Sequence, residues 1–230
     1  MSFVFPPRQT IAAPILGRDE TFPIRRIFCV GRNYAAHAKE MGADLREPPC
    51  FFIKDADAFA PSGATIAYPP ATADYHYETE LVVAIGAEGF NVAPEAAPGL
   101  IFGYAVGLDM TRRDLQGAAK KAGLPWDAGK NFPEAAPMGL ITPAAKAGEI
   151  GAARISLLVN GIERQKSAIA SMIWSVPDII AHLSKAYILK PGDLIFTGTP
   201  EGVGPVRPGD QLRARVSGLE DLHISIGDPR

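Results

Sequence analysis

Tyr75-His76-Tyr77-Glu78-Thr79-Glu80-Leu81-Val82-Val83-Ala84-Ile85 is the stretch on which the fold reading turns. It opens with aromatic and polar residues and closes on an unbroken apolar run from Leu81 to Ile85. A run apolar at every position suits a strand covered on both faces, so the segment predicts a long strand near the middle of a sheet. Glu78 and Glu80 stand two apart in it. Side chains alternate faces along a strand, so both carboxylates leave on the same side. Two carboxylates crowded at the mouth of an apolar strand repel each other and resist dehydration, and a cation between them relieves both problems. Oxygen ligands favour a hard ion, Mg²⁺ or Mn²⁺, over Zn²⁺. The four histidines, His37, His76, His182 and His223, show no zinc-type spacing. A bare Glu-x-Glu is, however, more often a solvated strand edge.

Outward from this strand the pattern is mixed and mainly β. Ile101–Leu108 reads as a second buried strand that runs straight into Asp109. A carboxylate at that exit could complete a set of three oxygen ligands, or could simply accompany the helix that follows. That helix is expected over Thr111–Ala122, with Thr111 as N-cap, Asp114 at N3, Lys120 and Lys121 in the last turn, and Gly123 and Pro125 ending it. A second helix is expected from Ser175, its cap, to Ala186. Arg26–Val30 and Phe51–Ile53 read as strands. Asn160-Gly161, between Arg154–Val159 and Glu163–Lys166, is a type I′ hairpin signal. Lys190-Pro191-Gly192-Asp193 and Arg207-Pro208-Gly209-Asp210 are turns around a strand at Leu194–Thr197. Residues 1–24, with Pro6, Pro7, Pro14 and Pro23, are expected to be irregular, and residues 25–230 to form one α+β domain.

Bulk properties exclude several classes of function. The 230 residues carry 23 Lys and Arg against 25 Asp and Glu, so there is no basic excess to bind nucleic acid and no polybasic membrane patch. No apolar stretch reaches the length of a membrane span. The two cysteines, Cys29 and Cys50, form no Cys-x-x-Cys pair, and Cys29 sits in the apolar run Ile27–Val30, as a buried free thiol would. Sparse cysteine use and an N-terminus without a signal-peptide pattern fit a soluble protein of a reducing cytoplasm.

Other residues could serve a metal site. His37 and Glu40 are three apart on an expected helical turn, where the carboxylate could orient the imidazole as a water-activating base, or the two could form an ordinary surface pair. The segment around them, with Ala43-Asp44-Leu45-Arg46-Glu47, has the polar character of a lid. Lys54 and Lys130 each have apolar neighbours, and either could face a developing oxyanion, although lysines are usually exposed. Thr197-Gly198-Thr199-Pro200-Glu201-Gly202-Val203-Gly204 lacks the Gly-Lys-Ser/Thr ending of a P-loop. It could bind a carboxylate through backbone N–H groups and the Thr199 hydroxyl, or be a tight connection between strands.

In order and spacing, these pieces resemble the fumarylacetoacetate hydrolase superfamily. The matching residues are Val30-Gly31-Arg32-Asn33-Tyr34 with His37 and Glu40, His76 to Leu81, Gly103-Tyr104 to Thr111, Arg113-Asp114, Lys130, Asn160-Gly161, and Gly192-Asp193 to Gly204. The resemblance implies layered, rolled mixed β-sheets with a few short helices, usually as a homodimer. It implies metal ligation by Glu78, Glu80 and Asp109, with Mg²⁺ expected and Mn²⁺ or Ca²⁺ as alternatives. It implies His37, Glu40 and Lys130 as the catalytic set. Arg32, Lys54, Arg113, Gln116 and Thr199 match positions lining the family's substrate pocket. Without a large extra N-terminal domain the chain is similar to the short members, the acylpyruvate and fumarylpyruvate hydrolases. The implied activity is hydrolysis of the C–C bond of a 2,4-diketo acid, fumarylpyruvate above others. Oxaloacetate decarboxylation and isomerisation or hydration of a 2-oxo-dienoate are the alternatives. The far carboxylate of such a substrate needs a cation, for which Arg32, Arg112 and Arg46 are candidates.

Overall fold

A computed structural model describes residues 2–34 and 48–229. Among the described residues the largest sheet has eight strands. Its order is Cys50–Lys54, Arg26–Gly31, Asp193–Phe196, Thr79–Ile85, Ile101–Leu108, Ala136–Met138 and Phe59–Pro61, with Thr142–Pro143 also paired to Ile101–Leu108. Thr79–Ile85 is antiparallel to both of its neighbours and buried throughout, the central position its apolar run predicts.

Both faces of this sheet are covered. Val83 and Ile85, with Phe28, Val30 and Ile195, pack against Ile179, Ile180 and Leu183 of the helix Val176–Ala186. Val82 and Ala84, with Ile27, Cys29, Leu194 and Phe196, point into the other core. That core is shared with a five-stranded sheet, ordered Ile162–Ala168, Arg154–Val159, Gln211–Val216, Leu222–Pro229 and Thr65–Tyr68. Along Gln211–Val216 every second residue is buried, so Leu212, Ala214 and Val216 face inward and the charged residues face water. The fold is thus mixed, curled sheets with few helices, as expected of an α+β, mainly β chain. No helix among the described residues is long and apolar enough to cross a membrane.

Local signals held where the chain turns sharply. Asn160 and Gly161 have φ of 51° and 78°, the left-handed pair that a type I′ hairpin requires. Ser175 accepts from the amide of Asp178 and Asp178 reaches back to Ser175, a complete capping box. Cys29 is fully buried, and burial, with Asp109 nearby, pushes its thiol pKa up.

Three expectations require correction. Tyr75–Ile85 is not one strand. Tyr75–Tyr77 belongs to a separate three-stranded sheet with Thr111–Arg112 and Gly204–Pro205, and the chain breaks at Glu78 before entering the large sheet. The side chain of Glu78 is held there by two cations instead of continuing the pleat. Thr111 does not cap a helix either. It pairs with His76, and the first long helix among the described residues, α1, runs over Arg113–Ala122 with no side-chain cap. The Asp114 carboxylate instead accepts from the Thr72 hydroxyl at 2.6 Å and the Ala73 amide at 3.0 Å. Finally, residues 1–24 contain a ribbon, Ala12–Pro14 against Thr21–Pro23, with Ala13, Ile15 and Phe22 buried in the main core.

Candidate metal centre and cleft

The site stands where the large sheet meets the three-stranded one. In the ladder between Thr79–Ile85 and Ile101–Leu108, Thr79 pairs with Leu108 and Glu80 with Gly107. One step further, the amide of Asp109 donates to the carbonyl of Glu78 at 2.8 Å. Glu78, Glu80 and Asp109 therefore converge, each offering one oxygen, and these oxygens all lie within 4.8 Å of one another. The three residues are 6%, 1% and 1% exposed.

Buried cations brace this cluster. Lys130 comes from α2, the single turn Asp127–Lys130, and is itself buried. Its ammonium donates to Glu78 Oε2 at 2.8 Å, Asp109 Oδ2 at 2.7 Å and the Thr111 hydroxyl at 2.7 Å. Arg113, at the start of α1, pairs with Glu78 Oε1 and donates to Gln116 Oε1 at 2.6 Å. Burial on its own would raise the Glu78 pKa, but Lys130 and Arg113 outweigh it and hold the carboxyl well below the usual range. Burial likewise works against the charged form of Lys130, and Asp109 and Glu78 reverse the balance, raising its pKa.

Glu80 is in the opposite situation. Burial, then repulsion from Asp109 and Glu78, push its pKa well above the usual value, although its Oε2 accepts from the Gly198 amide at 2.8 Å. Asp109 Oδ1 is buried and accepts no hydrogen bond among the described residues. Lys54 Nζ lies 2.8 Å from that oxygen, yet its three protons are directed to the carbonyls of Met110, Lys130 and Ala135. A crowded, under-neutralised Glu80 beside an Asp109 oxygen that accepts no hydrogen bond among the described residues is what a hard divalent cation would satisfy, so the donor set fits Mg²⁺ or Mn²⁺.

The cluster forms the floor of a cleft. Arg32, Arg113, Gln116 and Thr199, four of the five residues expected to line a substrate pocket, face it. Lys54 does not line it; its ammonium lies beneath the floor, engaged with main-chain oxygens. Arg112 is also absent from the lining. Its guanidinium lies 4.2 Å from the centre of the Phe132 ring and donates to the Ala128 carbonyl. His37, Glu40 and Arg46 fall outside the described residues.

Phe52, Lys120 and Trp126 line the cleft as well and carry no motif that singles them out in sequence. Gln165 was equally invisible. It reaches in from the five-stranded sheet, accepting from the Thr79 amide at 3.0 Å and donating to the Thr199 hydroxyl at 2.8 Å and the Pro200 carbonyl at 2.9 Å. One residue thereby ties the Glu-x-Glu strand to the glycine-rich loop. Within that loop Gly198 has φ of 98°, and a Cβ there would stand 2.7 Å from Asn33 Cβ. The left-handed backbone turns its amide toward Glu80.

Residues 26–226 match the family described as fumarylacetoacetate (FAA) hydrolase C-terminal. The chain is 50% identical over 182 residues to the fumarylpyruvate hydrolase of a Ralstonia species, which covers 79% of this chain and 94% of that one. It is 41% identical over 202 residues to a mitochondrial oxaloacetate tautomerase of Mus musculus, covering 88% of this chain and 91% of the other. A crystal structure of fumarylpyruvate hydrolase from Pseudomonas aeruginosa in complex with Mn²⁺ and pyruvate superposes with a TM-score of 0.96 at 49% identity. It covers 98% of this chain and 99% of its own.

Proposed function

The chain belongs to the fumarylacetoacetate hydrolase family, and we propose that it is a divalent-metal-dependent hydrolase that splits fumarylpyruvate into fumarate and pyruvate. The observation that carries this reading is the convergence of Glu78, Glu80 and Asp109, whose offered oxygens lie within 4.8 Å of one another, with a raised Glu80 carboxyl pKa among them. The similarity to fumarylpyruvate hydrolases, one of them in complex with Mn²⁺ and pyruvate, supports the choice of substrate.

Glu78, Glu80 and Asp109 would hold the ion, with Mg²⁺ or Mn²⁺ as the candidates. When bound there it supplies Lewis acidity at the 2-oxo acid end of the substrate. In the reaction water adds to the distal ketone carbon. The bond from that carbon to the methylene group breaks, the electron pair stays with the pyruvate half, and a proton on the methylene carbon completes pyruvate. Lys130, whose ammonium is fixed by Glu78, Asp109 and Thr111, is assigned as the positive charge that offsets negative charge on the attacked carbonyl oxygen. Arg113 and Gln116 form the wall above Glu78, and Thr199, held by Gln165, forms another part of the lining. His37, oriented by Glu40, is assigned from sequence as the base that takes the proton from water. A soluble cytoplasmic homodimer is the setting that belongs with this reading.

Incubation of the purified protein with Mg²⁺ or Mn²⁺ and fumarylpyruvate tests it. Enol absorbance should disappear as fumarate and pyruvate form in equal amounts. Absence of pyruvate with fumarylpyruvate and with acetylpyruvate would sink the proposal. His37→Ala should lose hydrolysis while keeping Mn²⁺ binding, and an unchanged rate would remove His37 from the reaction.

A second reading follows from the oxaloacetate tautomerase relative. Tautomerisation moves one proton and consumes no water. It would show as rapid interconversion of enol and keto oxaloacetate without release of pyruvate.

A further inference from the structure

The peptide unit between Thr197 and Gly198 stands where the strand Asp193–Phe196 leaves the large sheet. That strand pairs with Thr79–Ile85 as far as Phe196 opposite Val82. Thr197 closes the ladder, its amide and its hydroxyl both donating to the Leu81 carbonyl, at 3.1 and 2.9 Å. One step on, the Gly198 amide donates to Glu80 Oε2 at 2.8 Å.

At its other end the same peptide is held by Asn33. The Thr197 carbonyl accepts from Asn33 Nδ2 at 2.8 Å. Asn33 is fully buried, and both its amide protons and its side-chain oxygen are used. Nδ2 also donates to the Trp174 carbonyl at 2.9 Å, and Oδ1 accepts from the Trp174 amide at 2.7 Å. Two carbonyls and one N–H leave a single orientation for the side-chain amide. The Asn33 carbonyl accepts from the Ile173 amide at 2.8 Å, so main chain and side chain are both fixed.

Glycine cannot supply this hold itself. A half-turn of the Thr197–Gly198 peptide would carry Gly198 from φ of 98° to a negative φ, which its backbone accepts as readily. The same half-turn would replace the N–H facing Glu80 by the Thr197 carbonyl, setting one oxygen acceptor against another. The carboxylate would lose the contact that fixes its rotation. Asn33 reaches the peptide only because Gly198 lacks a Cβ, which would stand 2.7 Å from Asn33 Cβ.

We propose that Asn33 is a positioning residue of the metal centre. It holds the Thr197–Gly198 peptide with its N–H toward Glu80 and so fixes the Glu80 carboxylate in the orientation that receives the ion. It acts through one peptide plane and not by contact with the ion. This rests on the metal-dependent reading above.

Thr197-Gly198 is the only Thr-Gly pair in the sequence. Protein labelled with ¹³C at threonine carbonyls and ¹⁵N at glycine therefore gives a single carbonyl–amide correlation by nuclear magnetic resonance. In the metal-free wild type its proton should lie downfield, as for an N–H that donates to a carboxylate, and Glu80→Gln should move it upfield. Asn33→Asp keeps the Oδ1 acceptor and loses both donors; Asn33→Leu loses donors and acceptor without adding charge. Both should move the Gly198 proton upfield and weaken Mn²⁺ binding, read by calorimetry, about tenfold, the order expected for one charge-assisted hydrogen bond. A lower urea midpoint with the resonance and the Mn²⁺ affinity unchanged overturns the assignment, because a merely structural residue would behave so. The wild type carries a reading that needs no variant. With ¹⁵N also at asparagine, a coupling across the hydrogen bond from Asn33 Nδ2 to the Thr197 carbonyl should be present, and its absence overturns the proposal. A wild type that binds neither Mg²⁺ nor Mn²⁺ defeats the metal-dependent reading itself. Binding that is unchanged in both Asn33 variants defeats only the role of Asn33.

Discussion

The main-chain amide of Asp109 donates to the main-chain carbonyl of Glu78 at 2.8 Å, so two of the three candidate metal ligands are joined through their own backbones. The bond continues the antiparallel register of Thr79 with Leu108 by one step, at the point where the chain leaves the large sheet. Ligand spacing is thereby set by sheet geometry, which is stiff, instead of by loop conformation. Side chains placed this way need little reorganisation to receive an ion.

Glu80→Gln should leave the fold intact and abolish metal binding. The carboxyl of Glu80 is already biased toward its neutral form by burial and by Asp109 and Glu78, so a neutral isostere is tolerated in the metal-free protein. Calorimetric titration with Mn²⁺ should show no binding at concentrations that saturate the wild type, and activity should be absent. A Glu80→Gln protein that still gains thermal stability from Mn²⁺ would remove Glu80 from the ligand set.

Lys54→Met should cost about 3–5 kcal/mol of stability, because it leaves Asp109 with one fewer buried cation and strips partners from the carbonyls of Met110 and Ala135. Urea denaturation measures this directly. If Lys54 served only the substrate, the denaturation midpoint would stay where it is and KM alone would rise.

Gly129→Ala should destabilise the protein by about 1–3 kcal/mol, since the new methyl meets backbone atoms of Gln116 at 2.7 and 2.9 Å. Relief requires α2 to move away from α1, carrying Lys130 with it. The variant should therefore lose kcat more than it loses substrate affinity. A fully active Gly129→Ala enzyme would show that the position of Lys130 does not depend on this contact.

Gln165→Leu should cost about 1–3 kcal/mol, because the buried amide of Thr79 loses its acceptor. It also frees the Thr199 hydroxyl and the Pro200 carbonyl from the strand. The expected signature is a lower urea midpoint together with a raised KM for the 2-oxo acid. A change in stability with no change in KM would confine Gln165 to a packing role.

Much of the fold was legible in local patterns. The apolar run Leu81–Ile85 marked the middle of a doubly covered sheet because burial on both faces leaves no polar position. Asn160-Gly161 marked its hairpin and Gly123, at φ of 68°, its helix end, because few residues accept a left-handed backbone. Thr111 misled for an equally physical reason. A residue suited to capping a helix suits an edge strand as well, and pairing with His76 decided between them. Glu78 misled in the same way: its neighbours favour a strand, but its carbonyl and carboxylate were claimed by Asp109, Lys130 and Arg113.

By itself the sequence determined which residues could do chemistry. Carboxylates two apart beside an apolar run, a third at the exit of a buried strand, and lysines among apolar neighbours are statements about residue type and period. The tertiary structure alone decided which cation meets which carboxylate. Lys130 and Asp109 are 21 residues apart, and Gln165 and Thr79 are 86 apart. Pattern reading works over one or two turns, whereas these contacts form only when separate sheets close on a common core. That closure put Lys54 under the floor, Arg112 on Phe132 and Lys120 in the cleft, because electrostatic roles depend on distance in space and not along the chain.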